Sequence, residues 1–98
     1  MGRKKICRRV EGCPHTNYFK PVAIPLRLLE ENELSLDEFE AIRLADFEKL
    51  YQENAAEKMG VSRQTFGRII ESARRKIADA LINGKALKIN NNQTEETL

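Results

Sequence analysis

The chain has 98 residues, of which 41% are hydrophobic and 33% charged, so its composition is that of one small globular domain rather than of a disordered segment. No stretch approaches the roughly 18 apolar residues that cross a membrane, and the basic start lacks the apolar core of a signal peptide. We therefore expect a cytoplasmic protein.

Charge is distributed unevenly along the chain, although the formal net charge is only +2. Residues 1–10 contain five cations and no acid, residues 30–58 contain ten acids and three cations, and residues 62–76 contain five cations and one acid. Two basic segments around an acidic one favour a surface that binds a polyanion, with an acidic side facing away from it. Charged side chains on solvated helices would give the same pattern, so charge alone leaves both interpretations open.

The two cysteines are too few for a disulfide framework. Cys7, Cys13 and His15 form C-x5-C-x-H, and His15 is the only histidine, whereas structural zinc sites usually have four ligands. We expect reduced thiols and no metal or other cofactor; a metal held by this trio is the alternative.

The first 29 residues contain all three prolines and show no helical period. Residues 5–10, KICRRV, alternate in the manner of a strand. Residues 16–26, TNYFKPVAIPL, are typical of an extended segment that runs over a surface, because proline fixes the backbone and lacks a donor. Its apolar side chains are expected to cover a helical core: Tyr18, Phe19, Val22, Ile24 and Leu26. We assign residues 1–34 to a basic arm and an extended segment that packs on the core.

Capping signals predict three helices after this segment. Ser35 and Glu38 have the spacing of a capping box, which begins a helix that runs to about Ala45. A second helix spans residues 52–59 and ends at Gly60, and Ser62 is a strong N-cap for the third. That third helix, from residue 63 to about 82, has an apolar stripe: Phe66, Ile69, Ile70, Ala73, Ile77, Ala80 and Leu81.

Asn83-Gly84 ends the third helix, and residues 85–89, KALKI, are typical of a short final strand. Residues 90–98 are expected to be a flexible tail. The predicted fold is mainly α: a three-helix helix-turn-helix domain over residues 35–84, with a small β element formed by N- and C-terminal segments.

Two helices joined by a tight turn with glycine form a helix-turn-helix, whose second helix enters the DNA major groove. Ala56 is small enough for a close crossing, and Val61 supplies an apolar contact in the turn. Opposite the apolar stripe, arginine suits guanine and glutamine suits adenine at the base edges, while hydroxyls near the helix start suit phosphate. The predicted DNA-binding residues are Ser62, Arg63, Gln64, Thr65, Arg68 and Arg75, and Glu71 interrupts this face.

Gly67 has two interpretations, since glycine weakens a helix by about 1 kcal/mol relative to alanine. Its missing side chain allows either close approach to DNA or close packing of helices. The whole motif also has a purely structural alternative, an αα-hairpin whose arginines only solvate it.

The segment "LSLDEFEAIRLADFEKLYQENAAEKMGVSRQTFGRIIESARRKIADALINGKALKI", preceded by "CRRV" and "YFKPVAIPL", resembles a family of small, uncharacterised bacterial and archaeal proteins predicted to bind DNA. Its helical part is similar to the fourth region of sigma factors. The resemblance implies a regulatory DNA-binding role in which Ser62, Arg63, Gln64, Thr65 and Arg68 fall on the DNA-reading portion. Tyr51 and Asn54 depart from the family pattern and weaken the capping of the second helix.

We therefore expect a sequence-specific DNA-binding protein, a transcriptional regulator that reads double-stranded DNA with the helix that begins at Arg63. A homodimer would match a two-fold DNA site. The alternative function is a protein-interaction module that docks on a partner through the acidic residues 30–58. We expect no enzyme, because one histidine and the lack of a phosphate-binding glycine loop leave no catalytic constellation.

Overall fold

The computed structural model describes residues 14–90. Its strands and helices follow one another in this order: β1 (Tyr18–Phe19), a 3-10 turn (Leu26–Leu28), β2 (Glu31–Ser35), α1 (Leu36–Ile42), a π-helical segment (Arg43–Phe47), α2 (Gln52–Met59), α3 (Arg63–Asn83) and β3 (Ala86–Asn90). The three predicted helices are confirmed. None of the helices in this range is long and apolar enough to cross a membrane.

Three strands form a small sheet in the order β1-β3-β2. β3 pairs antiparallel with β1, where Tyr18 lies opposite Lys88, and parallel with β2, from Glu31 opposite Ala86 to Ser35 opposite Asn90. The predicted C-terminal strand is thus confirmed, at residues 86–90 rather than 85–89. The parallel pairing with β2 was not predicted, and the predicted strand KICRRV lies outside the described residues.

Capping interactions define the helix ends as the sequence indicates. Ser35 accepts a hydrogen bond from the Glu38 amide, and the Glu38 side chain accepts one from the Ser35 amide, which completes the capping box. Gly60 and Gly84 end α2 and α3 in the left-handed conformation, with φ of 71° and 68°. The first helix differs from the prediction. Regular α-helix ends at Ile42, and the chain continues as a π-helical segment to Phe47, two residues beyond the predicted end near Ala45.

Two buried clusters form the core, and α3 runs through both. One cluster joins the three helices: Ala41, Leu44, Ala55, Ala56, Met59, Phe66 and Ile70. The other joins the sheet to α3: Leu34, Leu36, Ala73 and Ile89. The N-terminal half of α3 therefore packs on α2, and its C-terminal half packs on the sheet.

Part of the predicted core lies in solvent. Leu81, expected in the apolar stripe of α3, is 76% exposed, whereas Ala80 takes the buried position at the end of the stripe. In the extended segment Phe19, Val22 and Leu26 are exposed as well, so the expectation that they cover the helical core is wrong. That segment contacts the sheet and the end of α3 instead, where Ile24 approaches Gly84.

Candidate nucleic-acid interface

The turn between α2 and α3 is short and held by its own backbone. Gly60 and Val61 donate their amides to carbonyls of α2, with Val61 bonded to Ala56 at 3.0 Å. Ser62 then begins α3 by accepting the Thr65 amide at 3.0 Å. Three residues therefore reverse the chain and fix the angle at which α3 leaves α2.

Apolar packing holds the two helices at that angle. Ala55, Ala56 and Met59 of α2 are buried against Phe66 and Ile70 of α3. Val61 and Ile69 are partly buried at the edge of the same cluster. The small side chain at position 56, the apolar turn residue and the aromatic anchor thus have the places that the sequence predicted for them.

The outer face of α3 is polar and has no internal partners. Gln64, Arg68 and Arg75 are exposed on the side opposite the buried stripe, and Arg63 is exposed at the helix start. None of these four side chains forms a hydrogen bond or ion pair with another residue between 14 and 90. Arg68 and Arg75 lie seven residues apart, so their Cα atoms are about 10 Å apart along one face.

The hydroxyls at the helix start are partly committed to the cap. Ser62 Oγ accepts the Thr65 amide and donates to Thr65 Oγ1, at 3.0 Å in each case. In this arrangement the Thr65 hydroxyl keeps its own proton for an outside acceptor, whereas the Ser62 proton is already used. Of the two predicted phosphate contacts, Thr65 is therefore the better donor.

Two other cations of α3 are tied to the fold. Arg74 donates to both carboxylate oxygens of Asp46 at 2.7 and 3.2 Å, and this pairing raises the pKa of the guanidinium. Lys76 Nζ donates to the Glu33 carbonyl at 2.8 Å and to Glu38 Oε1 at 3.0 Å. The sequence did not reveal these internal roles, because the accepting residues are distant in the chain.

Glu38 is the centre of a buried polar network that the sequence did not reveal. Burial alone would raise the pKa of this carboxyl, but hydrogen bonds from the Ser72 hydroxyl, the Ser35 amide and Lys76 outweigh it and lower the pKa. Ser72 Oγ donates to Glu38 Oε2 at 2.6 Å. The network joins the start of α1 to the middle of α3 and so fixes how α3 is presented.

Most acids of residues 30–58 have internal partners too. Six of the ten are engaged: Glu30 with Lys85, Glu31 with Tyr18, Glu38 with Ser72 and Lys76, Glu40 and Glu48 with Arg43, and Asp46 with Arg74. Glu40 is almost fully buried. Four cations of the fold, Arg43, Arg74, Lys76 and Lys85, thus neutralise part of the negative charge counted along the sequence.

No group of three or more His, Cys, Asp or Glu side chains within residues 14–90 could hold a metal ion. His15 is exposed, and Cys7 and Cys13 lie outside the described range. α2 begins at Tyr51 without a side-chain capping bond, as the departure from the family pattern indicated.

Comparison with known sequences places the chain in a family. Residues 1–96 match the family described as "Protein of unknown function DUF134". The chain belongs to this family. It is 61% identical over 89 residues to a "UPF0251 protein" of Moorella thermoacetica and 60% identical over 88 residues to one of Prosthecochloris aestuarii, covering 91% and 90% of this chain. A relative from Thermoanaerobacter pseudethanolicus is 54% identical over 89 residues.

The DUF134 chain spans about 60% of the length of the first two relatives and 75% of the third. These relatives carry no description of an activity or partner. No solved structure matches the chain. The family membership expected from the sequence is confirmed, and function has to be argued from the α2–α3 region itself.

Proposed function

We propose that this DUF134 protein is a sequence-specific DNA-binding protein, a transcriptional regulator whose α3 enters the major groove. The observation that carries the proposal is the division of the cations on α3. Arg74 and Lys76 have internal carboxylate partners, whereas Arg63, Arg68 and Arg75 have none among residues 14–90. Arg68 and Arg75 share the outward side of α3, where a polyanion can reach them together, and Arg63 is exposed at the helix start.

The geometry around these side chains supports a helix-turn-helix interpretation. The 60–62 turn, the close crossing at Ala56 and the rigid anchor at Phe66 present α3 as the second helix of such a motif. Gln64 and Arg68 lie near its start, where recognition helices contact base edges. Thr65 and the amides of the first turn would hold phosphate, since a helix start carries partial positive charge.

The scaffold alternative, in which exposed arginines only solvate an αα-hairpin, leaves the division of cations without a role. Solvation alone requires no separation of paired and unpaired arginines on the same helix. The paired residues lie on the flank facing Asp46 and on the side facing Glu38, whereas the unpaired Arg68 and Arg75 lie outward. This arrangement is what an interface on the outward side would need.

Arg68→Ala and Arg74→Ala form a matched pair that tests the proposal. Binding of the wild-type protein to DNA selected from random sequences should fall steeply with salt, because phosphate neutralisation releases counterions. Arg68→Ala should lose about 1–3 kcal/mol of affinity for the selected site and little for scrambled DNA. Arg74→Ala should leave the base preference unchanged, because its guanidinium is held by Asp46.

Wild-type protein without salt-sensitive binding to duplex DNA would refute the function. Equal losses of Arg68→Ala on selected and scrambled DNA would instead assign Arg68 to phosphate and leave base reading to Gln64 and Arg63. Circular dichroism of both variants should match the wild type, because substitution of the exposed Arg68 usually changes stability by no more than about 0.5 kcal/mol and loss of an exposed ion pair such as Arg74–Asp46 costs about 0.2–1 kcal/mol.

One observation favours a second candidate, a protein-interaction module. Phe47 and Tyr51 are each 79% exposed on either side of the turn before α2. Exposed aromatic side chains are enriched at protein interfaces. Replacing both with serine should abolish binding to a protein partner and leave the base preference intact if this candidate function is the correct one.

A further inference from the structure

Glu71 lies in the middle of the face that we assign to DNA. At about 100° per residue, positions 64, 68, 71 and 75 fall within an arc of about 60° on α3. All four side chains are exposed. Glu71 therefore shares the outward side with the unpartnered arginines and is its only acid between positions 64 and 75.

The carboxylate of Glu71 has no partner among residues 14–90, although cations surround it. Arg75 follows it by four residues, which is the favourable order for an ion pair on a helix. The pair is not formed, and Arg74 at the i+3 position is bonded to Asp46. Glu71 thus stands on this side without an ion-pair partner among the described residues.

Such a charge opposes binding to a polyanion. A carboxylate within about 10 Å of phosphates, roughly one Debye length at 0.1 M salt, is repelled without much screening. A favourable role at the base edges exists for it, because a carboxylate accepts a hydrogen bond from the N4 amino group of cytosine in the major groove. The same carboxylate would be rejected by guanine and thymine, which present only acceptors or a methyl group there.

We propose that Glu71 is a specificity-determining residue whose carboxylate accepts a hydrogen bond from the N4 amino group of a cytosine in the target DNA. This inference rests on the proposed function of α3 and adds to it the base class read at the centre of the interface. Arginines beside Glu71 supply the attraction that a carboxylate lacks, while Glu71 restricts the sequences on which that attraction can act.

The position of Glu71 limits where the cytosine can lie. The polar face runs from Gln64 to Arg75, about 16 Å along the helix, and ends before the exposed apolar residues Ala78 and Ile82. At 3.4 Å per base pair, this length spans at most about five pairs. Glu71 lies about 10 Å from Gln64, so its cytosine falls within about three pairs of the base that Gln64 contacts.

Selection of binding sites from random duplex DNA by the wild type, Glu71→Gln and Glu71→Ala tests the assignment. The wild-type site should contain one position that requires cytosine. Glu71→Ala should lose that requirement, with a fall of about 5- to 150-fold in the ratio of affinities for the selected site and for the site with this cytosine replaced. Glu71→Gln should shift the preference at the same position towards adenine, which glutamine binds bidentately.

Glu57→Gln is the matched control, because it removes the same charge from an exposed position on α2 that has no partner among the described residues. It should leave the cytosine requirement unchanged. If Glu71→Ala keeps the requirement and binds all duplexes more tightly, Glu71 only repels DNA and the inference is overturned. That result leaves the proposed function standing. If instead the wild-type protein shows no salt-sensitive DNA binding, the proposed function and this inference are both overturned, so the two failures are distinguishable.

Discussion

Gly67→Ala separates the two interpretations of the glycine in α3. The residue nearest to an added Cβ, outside the backbone of α3, is Gln52, whose Oε1 would be 3.8 Å away, an ordinary contact. No packing therefore requires glycine at this position. Alanine should stabilise the helix by about 1 kcal/mol, which corresponds to a rise of about 4–8 °C in Tm for a chain of this size.

The same change should weaken DNA binding. Gly67 lies on α3 between Arg63 and Arg68, where a methyl group would stand between the helix and a phosphate or base edge. Loss of one or two hydrogen bonds at about 1 kcal/mol each predicts a reduction in affinity of about 5- to 30-fold. The expected result is a variant that is more stable and binds less well.

Ala78→Gly is the calibrating variant for this pair of measurements. Ala78 is exposed on α3 beyond Arg75, so the change should cost about 1 kcal/mol of stability without altering DNA affinity. Thermal unfolding and a DNA titration at fixed salt measure both effects. A lower Tm for Gly67→Ala would show that the glycine serves helix packing. A higher Tm with unchanged affinity would show that DNA does not approach at this point.

Two further predictions concern the scaffold and the basic arm. Lys76→Met should lower the free energy of unfolding by about 1–3 kcal/mol, because it removes the two hydrogen bonds that the half-exposed ammonium donates. Arg75→Ala, the control, should change the free energy of unfolding by no more than about 0.5 kcal/mol. Since the folded-state pKa of Glu38 is lowered, its stabilising contribution is present at neutral pH and is lost as pH falls through that pKa. Urea unfolding between pH 7 and 3 should show a smaller loss in Lys76→Met, because removal of the ammonium brings the folded-state pKa of Glu38 closer to its unfolded value, and superimposed profiles would contradict the network. Deletion of residues 1–5 removes three cations and should reduce the slope of log affinity against log salt by up to about 2.7; an unchanged slope would show that the arm is only solvated.

Local signals made much of the helical fold predictable. The capping box at Ser35, the N-cap at Ser62 and the glycines at positions 60 and 84 act through contacts within a few residues, so sequence alone locates them. The apolar stripe of α3 predicted Phe66 and Ile70 in the core for the same reason. The prediction that Leu81 is buried was wrong, because periodicity gives the direction of a side chain and not whether another element covers it.

Non-local contacts explain what the sequence did not reveal. β2 has one buried side chain, Leu34, in an otherwise polar segment, so it lacks the alternation that identifies a strand, and its partner β3 is at the other end of the described chain. The pairing of Arg74 with Asp46 joins residues that no short motif connects. The candidate interface was therefore predicted as a set of outward positions, but which cations of α3 are unpartnered emerged only from the fold.

The sheet and Lys85 hold the C-terminal half of α3 in place. Asn32 of β2 donates to the Lys76 carbonyl and to Asp79, and Lys85 donates to the same carboxylate, so the C-terminal half of the helix is bonded to the sheet. These hydrogen bonds lower the pKa of Asp79, which keeps it charged and the contacts intact at neutral pH. An outward face held in this way loses little conformational freedom when it binds, because its backbone is already fixed in one orientation. If α3 binds DNA as proposed, the internal hydrogen bonds of the C-terminal half serve the N-terminal half, which then needs no ordering before Gln64 and Arg68 enter a groove.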